Sequence, residues 1–114
     1  MRARCKSWIE TDEGEKAFGE GPWRLLKKVE ETGSLNQAAK RLNMSYTRAV
    51  DIMKRAESSL GFPLLIREKG GAGGGGSVIT PEARAYMRKY ERFWEETRLA
   101  VAQIYRDIFE TADH

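Results

Sequence analysis

Thr47, Arg48, Asp51, Lys54 and Arg55 crowd one short stretch of the chain, and their spacing puts them on one side of a helix. None of these side chains pairs a nucleophile with a base, and none forms a set of metal ligands. What they can do is hydrogen-bond and neutralise charge. A guanidinium such as that of Arg48, near the helix start, can pair with guanine O6 and N7 together. Thr47 can reach a base edge or a thymine methyl. Lys54 and Arg55 lie deeper in the helix and suit phosphates, which give affinity without reading sequence. Asp51 can accept from cytosine N4, or it can orient Arg48 or Arg55. Tyr46 lies at the flank, where packing and a phosphate hydrogen bond are equally open to it.

A face of this kind needs a helix that is presented and not buried. At about 100° per residue Ala49, Ile52, Met53, Ala56 and Leu60 fall together on the opposite, apolar side. The preceding residues supply a partner helix. Ser34-Leu35-Asn36-Gln37 is a capping-box pattern, in which Ser34 accepts from an early helical N–H and Gln37 reaches back. A helix from there to Leu42, a turn at Asn43-Met44-Ser45 and a further helix from the Ser45 cap to Leu60 make a helix-turn-helix. Ala38 and Ala39 are the small pair that lets the two helices approach. Asn43 holds the turn position, which is often left-handed, and asparagine tolerates that region best after glycine.

The flanking segments complete a small domain. Lys6–Glu10 and Lys16–Phe18, separated by Thr11-Asp12-Glu13-Gly14, predict a short β-hairpin. Gly19-Glu20-Gly21-Pro22 breaks the chain, and Trp23–Thr32 reads as an amphipathic helix closed by Gly33. Leu64–Arg67 and Ser77–Ile79 predict two strands joined by the glycine-rich run 68–76. That run lacks the Gly-Lys-Ser/Thr ending of a nucleotide-binding P-loop and leads into a strand. As a wing it can lay backbone N–H groups, those of Gly71 and Gly73 among them, against a phosphate backbone, with Arg67 and Lys69 adding charge. Thr80-Pro81-Glu82 starts a last helix running to about Phe109. Along it Met87, Tyr90, Trp94, Thr97, Val101, Ile104 and Ile108 keep spacings of three and four, the seam of a helix pair, with the apolar members expected at the dimer interface. A second copy of the chain is the expected partner.

Composition agrees with binding. The 114 residues carry a net charge of +3. Residues 21–60 hold 8 basic and 4 acidic side chains, whereas residues 1–20 hold 4 and 5. The positive excess therefore lies over the helix-turn-helix, which favours a polyanionic partner. No apolar run is long enough to span a bilayer. The single cysteine, Cys5, allows no intrachain disulfide and fits a reducing cytoplasm. The only histidine is His114. With no second Cys or His near Cys5, neither a nucleophile nor a zinc site is expected. No cofactor, no metal and no catalysis are expected.

Gly33-Ser34-Leu35 with Ala38-Ala39, then Met44-Ser45-Tyr46, Pro63-Leu64, Arg67, the glycine run and Ile79-Thr80-Pro81 resemble the N-terminal winged-helix domain of the molybdate-responsive ModE regulators. Phe18-Gly19-Glu20-Gly21 matches that pattern too. The helix-turn-helix is similar, more distantly, to that of LysR-type regulators. The resemblance implies a dimeric DNA binder with one helix in the major groove and the wing on the flanking backbone. The molybdate-binding domains of ModE proteins are not expected within these residues.

The expected fold is therefore α+β and mostly helical. Residues 1–80 form a winged helix-turn-helix, and residues 81–114 a dimerisation helix packed on it. The expected function is sequence-specific binding of double-stranded DNA in transcription regulation. Its expected contacts are Ser34, Ser45, Tyr46, Thr47, Arg48, Asp51, Lys54, Arg55, Arg67, Lys69, Gly71 and Gly73. The other reading, a winged-helix protein-interaction module, predicts that charge reversal at Arg48 and Lys54 leaves partner binding intact.

Overall fold

The computed structural model describes residues 1–68 and 76–111. Two antiparallel strand pairs flank a helical centre. The first pair is β1 (Ile9–Glu10) with β2 (Lys16–Phe18), and the second is β3 (Leu65–Arg67) with β4 (Ser77–Ile79). The helices are α1 (Glu20–Thr32), α2 (Leu35–Arg41), α3 (Tyr46–Leu60) and α4 (Pro81–Tyr105). A π-type turn, Arg106–Glu110, continues the last of them.

The core is one cluster. Phe18, Leu25, Leu26, Val29, Ala38, Ala39, Ala49, Met53, Leu64 and Ile79 are buried together, and Met87 and Tyr90 of α4 close it. The rings of Tyr86 and Tyr90 meet Phe18 edge-on at 5.1 and 5.2 Å, a geometry aromatic quadrupoles favour. Trp23 ties α1 to α4 in two ways. Its Nε1 donates to Glu91 Oε2 at 2.7 Å, and its ring meets that of Trp94 at 5.8 Å.

Local chemistry sets the boundaries. α1 begins three residues earlier than the sequence indicated, because Glu20-Gly21-Pro22 is its first turn and not a break. A proline there loses only an N–H that has no helical partner anyway. The α1–α2 junction turns at Gly33, whose φ of 75° lies in the left-handed region. Ser34 Oγ accepts from the Gln37 N–H at 3.2 Å, but the return half of the capping box belongs to Thr32, whose Oγ1 accepts from the Ser34 N–H at 3.3 Å. Asn43 takes φ 56°, as a helix-turn-helix of this length requires.

Thr80 is buried and works in both directions. Its Oγ1 accepts from the Ala83 N–H at 3.0 Å and donates to the Pro63 carbonyl at 2.7 Å. It thereby fixes α4 to the segment entering β3. Glu57 does the same from α3, accepting from the Leu64 N–H at 2.7 Å. Leu64 is thus a fully buried anchor placed before β3, not a strand residue.

α4 outruns the domain. The radius of gyration is 17.6 Å and the longest extent 69 Å, where a compact chain of this length would have a radius of about 13 Å. Among the described residues no helix is long and apolar enough to cross a membrane.

Candidate nucleic-acid interface

α3 presents the face its sequence promised. Thr47, Arg48, Asp51, Lys54, Arg55 and Ser58 are exposed, and Ala49, Met53 and Ala56 are buried against α1, α2 and the hairpin. Ile52 and Leu60 are half-buried and pack at the edge of the core. The helix begins at the Ser45 cap, whose Oγ accepts from the Arg48 backbone N–H at 3.1 Å. Ser34 and Ser45 each accept a capping bond through Oγ, which leaves the O–H free to donate, and Ser45 is exposed.

Asp51 Oδ2 lies 3.0 Å from Arg55 Nε, one turn on, so of the two arginines it is Arg55 that Asp51 pairs with. Tyr46 packs, but against the wing: the Arg67 guanidinium lies over its ring at 5.4 Å from the centroid. The base of β3 thus rests on the first residue of α3. At the other end of the wing, the Ser77 N–H donates to the Gly33 carbonyl at 2.9 Å. A Cβ at Gly76 would meet that same oxygen at 2.9 Å, so the chain passes too close for a side chain. Lys69, Gly71 and Gly73, the other expected wing contacts, lie outside the described residues.

Tyr46 and Arg48 stand on opposite flanks of α3, about 160° apart around its axis at 100° per residue. The wing base occupies the Tyr46 flank. On the other flank Arg48, Ile52 and Arg55 line a groove of about 620 Å³ whose far wall is the N-terminal hairpin, with Glu13, Glu15 and Lys16. The presented face is therefore bracketed by two hairpins. Sequence reasoning found the hairpin but gave it no role; its cations alternate with more numerous acids, which hid them in the segment total.

The expected partner-facing seam needs correction. Met87 and Tyr90 are each only 4% exposed and belong to the protomer's own core. Tyr90 also donates its hydroxyl to the Ser7 carbonyl at 3.2 Å. Trp94 is partly covered by Trp23. Of the expected seam residues, Ile104 and Ile108 further along are 55% and 64% exposed. The first half of the heptad stripe is thus taken up by the domain's own core.

A family model described as bacterial regulatory helix-turn-helix protein, lysR family, matches residues 22–84. The chain belongs to this family. The matched span begins in the first turn of α1 and ends in the first turn of α4, so it is the winged helix-turn-helix itself. Among relatives, the LysR-family chain is 40% identical over 68 residues to the transcriptional regulator ModE of Haemophilus influenzae, covering 60% of this chain and 27% of that protein. It is 32% identical over 96 residues to the molybdenum transport protein ModE of Azotobacter vinelandii, covering 84% and 35%. The chain thus spans between a quarter and little more than a third of these curated relatives. Among solved structures it is similar to the crystal structure of a CbnR_DBD–DNA complex, with TM-score 0.52 and 26% identity over 68% of this chain and 85% of that one. The fold is accordingly an α+β winged helix-turn-helix.

Proposed function

We propose that this LysR-family chain is a sequence-specific double-stranded DNA-binding transcriptional regulator acting in the cytoplasm by binding and not by catalysis. The observation that carries this reading is the exposed polar face of α3 from Thr47 to Arg55, set between two hairpins that can grip flanking backbone. Arg48 reads a base edge, Lys54 and Arg55 neutralise phosphates, and Arg67 carries the wing base. The relatives named as transcriptional regulators and the DNA complex of the similar structure support the same reading.

The working unit is a homodimer. Val101, Ile104 and Ile108 share one side of the part of α4 that overhangs the domain, where an apolar stripe gains from a second copy. Two copies would read two half-sites at a spacing fixed by the dimer. Selection of bound fragments from a genomic DNA library tests the function. Enrichment of a near-palindromic motif is expected; recovery of random fragments would refute sequence-specific reading.

A further inference from the structure

Beside the groove already described lies a second, smaller recess of about 280 Å³, between the N-terminal hairpin, the first turn of α1 and the helix-turn-helix turn. Lys6, Lys16, Arg24 and Arg48 line it, against one acid, Glu20. Glu20 is itself engaged with Arg24 at 3.0 Å. Gly21, in the positive N-terminal turn of the 13-residue α1, forms part of the wall. Ser7 lines the recess as well, and its Oγ is shielded from solvent with no hydrogen-bond partner among the described residues. Four cations and a helix N-terminus converge on an open space with room for a phosphate group.

We propose that this recess is a phosphate site, and that the N-terminal hairpin clamps a DNA backbone phosphate on the flank of α3 opposite the wing. The inference rests on the DNA-binding reading and extends it to Lys6, Lys16 and Arg24, which lie outside the wing and the outward face of α3. Arg48 is the shared wall of recess and reading face, so a phosphate seated here fixes the guanidinium that reads the neighbouring base. Glu20 is the one acid lining the recess, and the hairpin acids lie next to it. Glu13 and Glu15 line the larger groove, and Glu10 accepts from Trp8 Nε1 at 2.8 Å.

The test measures duplex binding against salt for the full chain and for Lys6→Ala, Lys16→Ala and the double variant, with Lys89→Ala on exposed α4 as the control. Each phosphate contact contributes about 0.9 to the slope of log K against log salt. Each single lysine variant is expected to lower the slope and the double variant to lower it by about 1, equally for preferred and scrambled duplexes, while Lys89→Ala leaves it unchanged. Glu20→Gln, which removes the acid, is expected to tighten binding severalfold. Unchanged slopes in both lysine variants, with wild-type binding intact, would overturn the phosphate site and leave the DNA-binding reading standing. Absence of wild-type binding would instead overturn that reading. A parallel melt in inorganic phosphate against chloride at equal ionic strength separates the sources of phosphate. A phosphate-specific rise in melting temperature lost in Lys6→Ala, with unchanged DNA slopes, would assign the recess to a free oxyanion and refute the backbone clamp. Because Lys16 also lies over the Trp8 ring at 5.5 Å, Lys6→Ala keeps the test sound if Lys16→Ala disturbs the hairpin.

Discussion

The guanidinium of Arg67 lies 5.4 Å from the centre of the Tyr46 ring. One residue ends β3 and the other begins α3, so this stacked pair joins the base of the wing to α3. Such a contact at an exposed site contributes about 0.5–1 kcal/mol. Tyr46→Ala is therefore expected to weaken duplex binding about two- to fivefold, whereas Tyr46→Phe, which keeps the ring, should bind within twofold of wild type. If the phenylalanine variant falls as far as the alanine variant, the hydroxyl and not the stacking is what matters.

Asp51 restrains Arg55 across one helical turn at 3.0 Å, with both side chains well exposed. An exposed pair of this kind contributes little to stability, about 0.3–0.5 kcal/mol. Its removal should act on binding instead. Asp51→Ala frees Arg55 and deletes a negative charge from the face proposed to meet DNA, so affinity for non-preferred duplexes is expected to rise severalfold at low salt. The ratio between preferred and scrambled duplexes should fall. A variant that keeps wild-type discrimination would show that Asp51 plays no part in selectivity.

Thr80 makes a cap and a buried tertiary hydrogen bond with one hydroxyl. Replacing it by valine keeps the volume and deletes both. The cap contributes about 1 kcal/mol and the hydrogen bond to Pro63 about another 1. Urea unfolding of Thr80→Val should therefore show a loss of about 2 kcal/mol, with DNA binding retained at temperatures where the variant is folded. A loss no larger than that of an ordinary surface substitution would mean that α4 is held by its apolar contacts alone.

Burial pushes the Tyr86 hydroxyl above the ordinary tyrosine range. Burial first, and then the charge of Glu20, does the same to Tyr90. Between the unfolded and folded values the native protein binds more protons than the unfolded chain. The corresponding stability is present in full below the unfolded value near 10 and falls as pH rises through it. Equilibrium unfolding between neutral and strongly alkaline pH should show this decline, and Tyr86→Phe should reduce its steepness. Parallel decline in variant and wild type would assign the alkaline sensitivity elsewhere.

Much of the site was legible because its rules are local. The period of α3 separated Arg48 and Lys54 from Ala49 and Met53, and the tolerance of asparagine for φ 56° marked the turn at Asn43. What the sequence hid depends on contacts between distant residues. Met87 and Tyr90 fit a partner seam by spacing, yet both lie in the domain's own core, where Tyr90 meets Phe18 from about seventy positions earlier. The Thr32 hydroxyl replaced Gln37 in the cap because it already sat beside the Ser34 N–H. Lys6, Lys16 and Arg24 come together only once the hairpin folds beside α1. Charge totals by segment cannot show such a meeting.

The central claim is that α3 reads DNA through Arg48. Fluorescence anisotropy on a genomically selected duplex, comparing wild type with Arg48→Ala, tests it most directly. Wild type should bind with strong salt dependence. Arg48→Ala should lose about 1–3 kcal/mol on the preferred duplex and relax discrimination at one base position, while Lys54→Ala weakens all duplexes alike. Absence of wild-type binding at low salt, or an Arg48→Ala variant that binds and discriminates as wild type does, would contradict it.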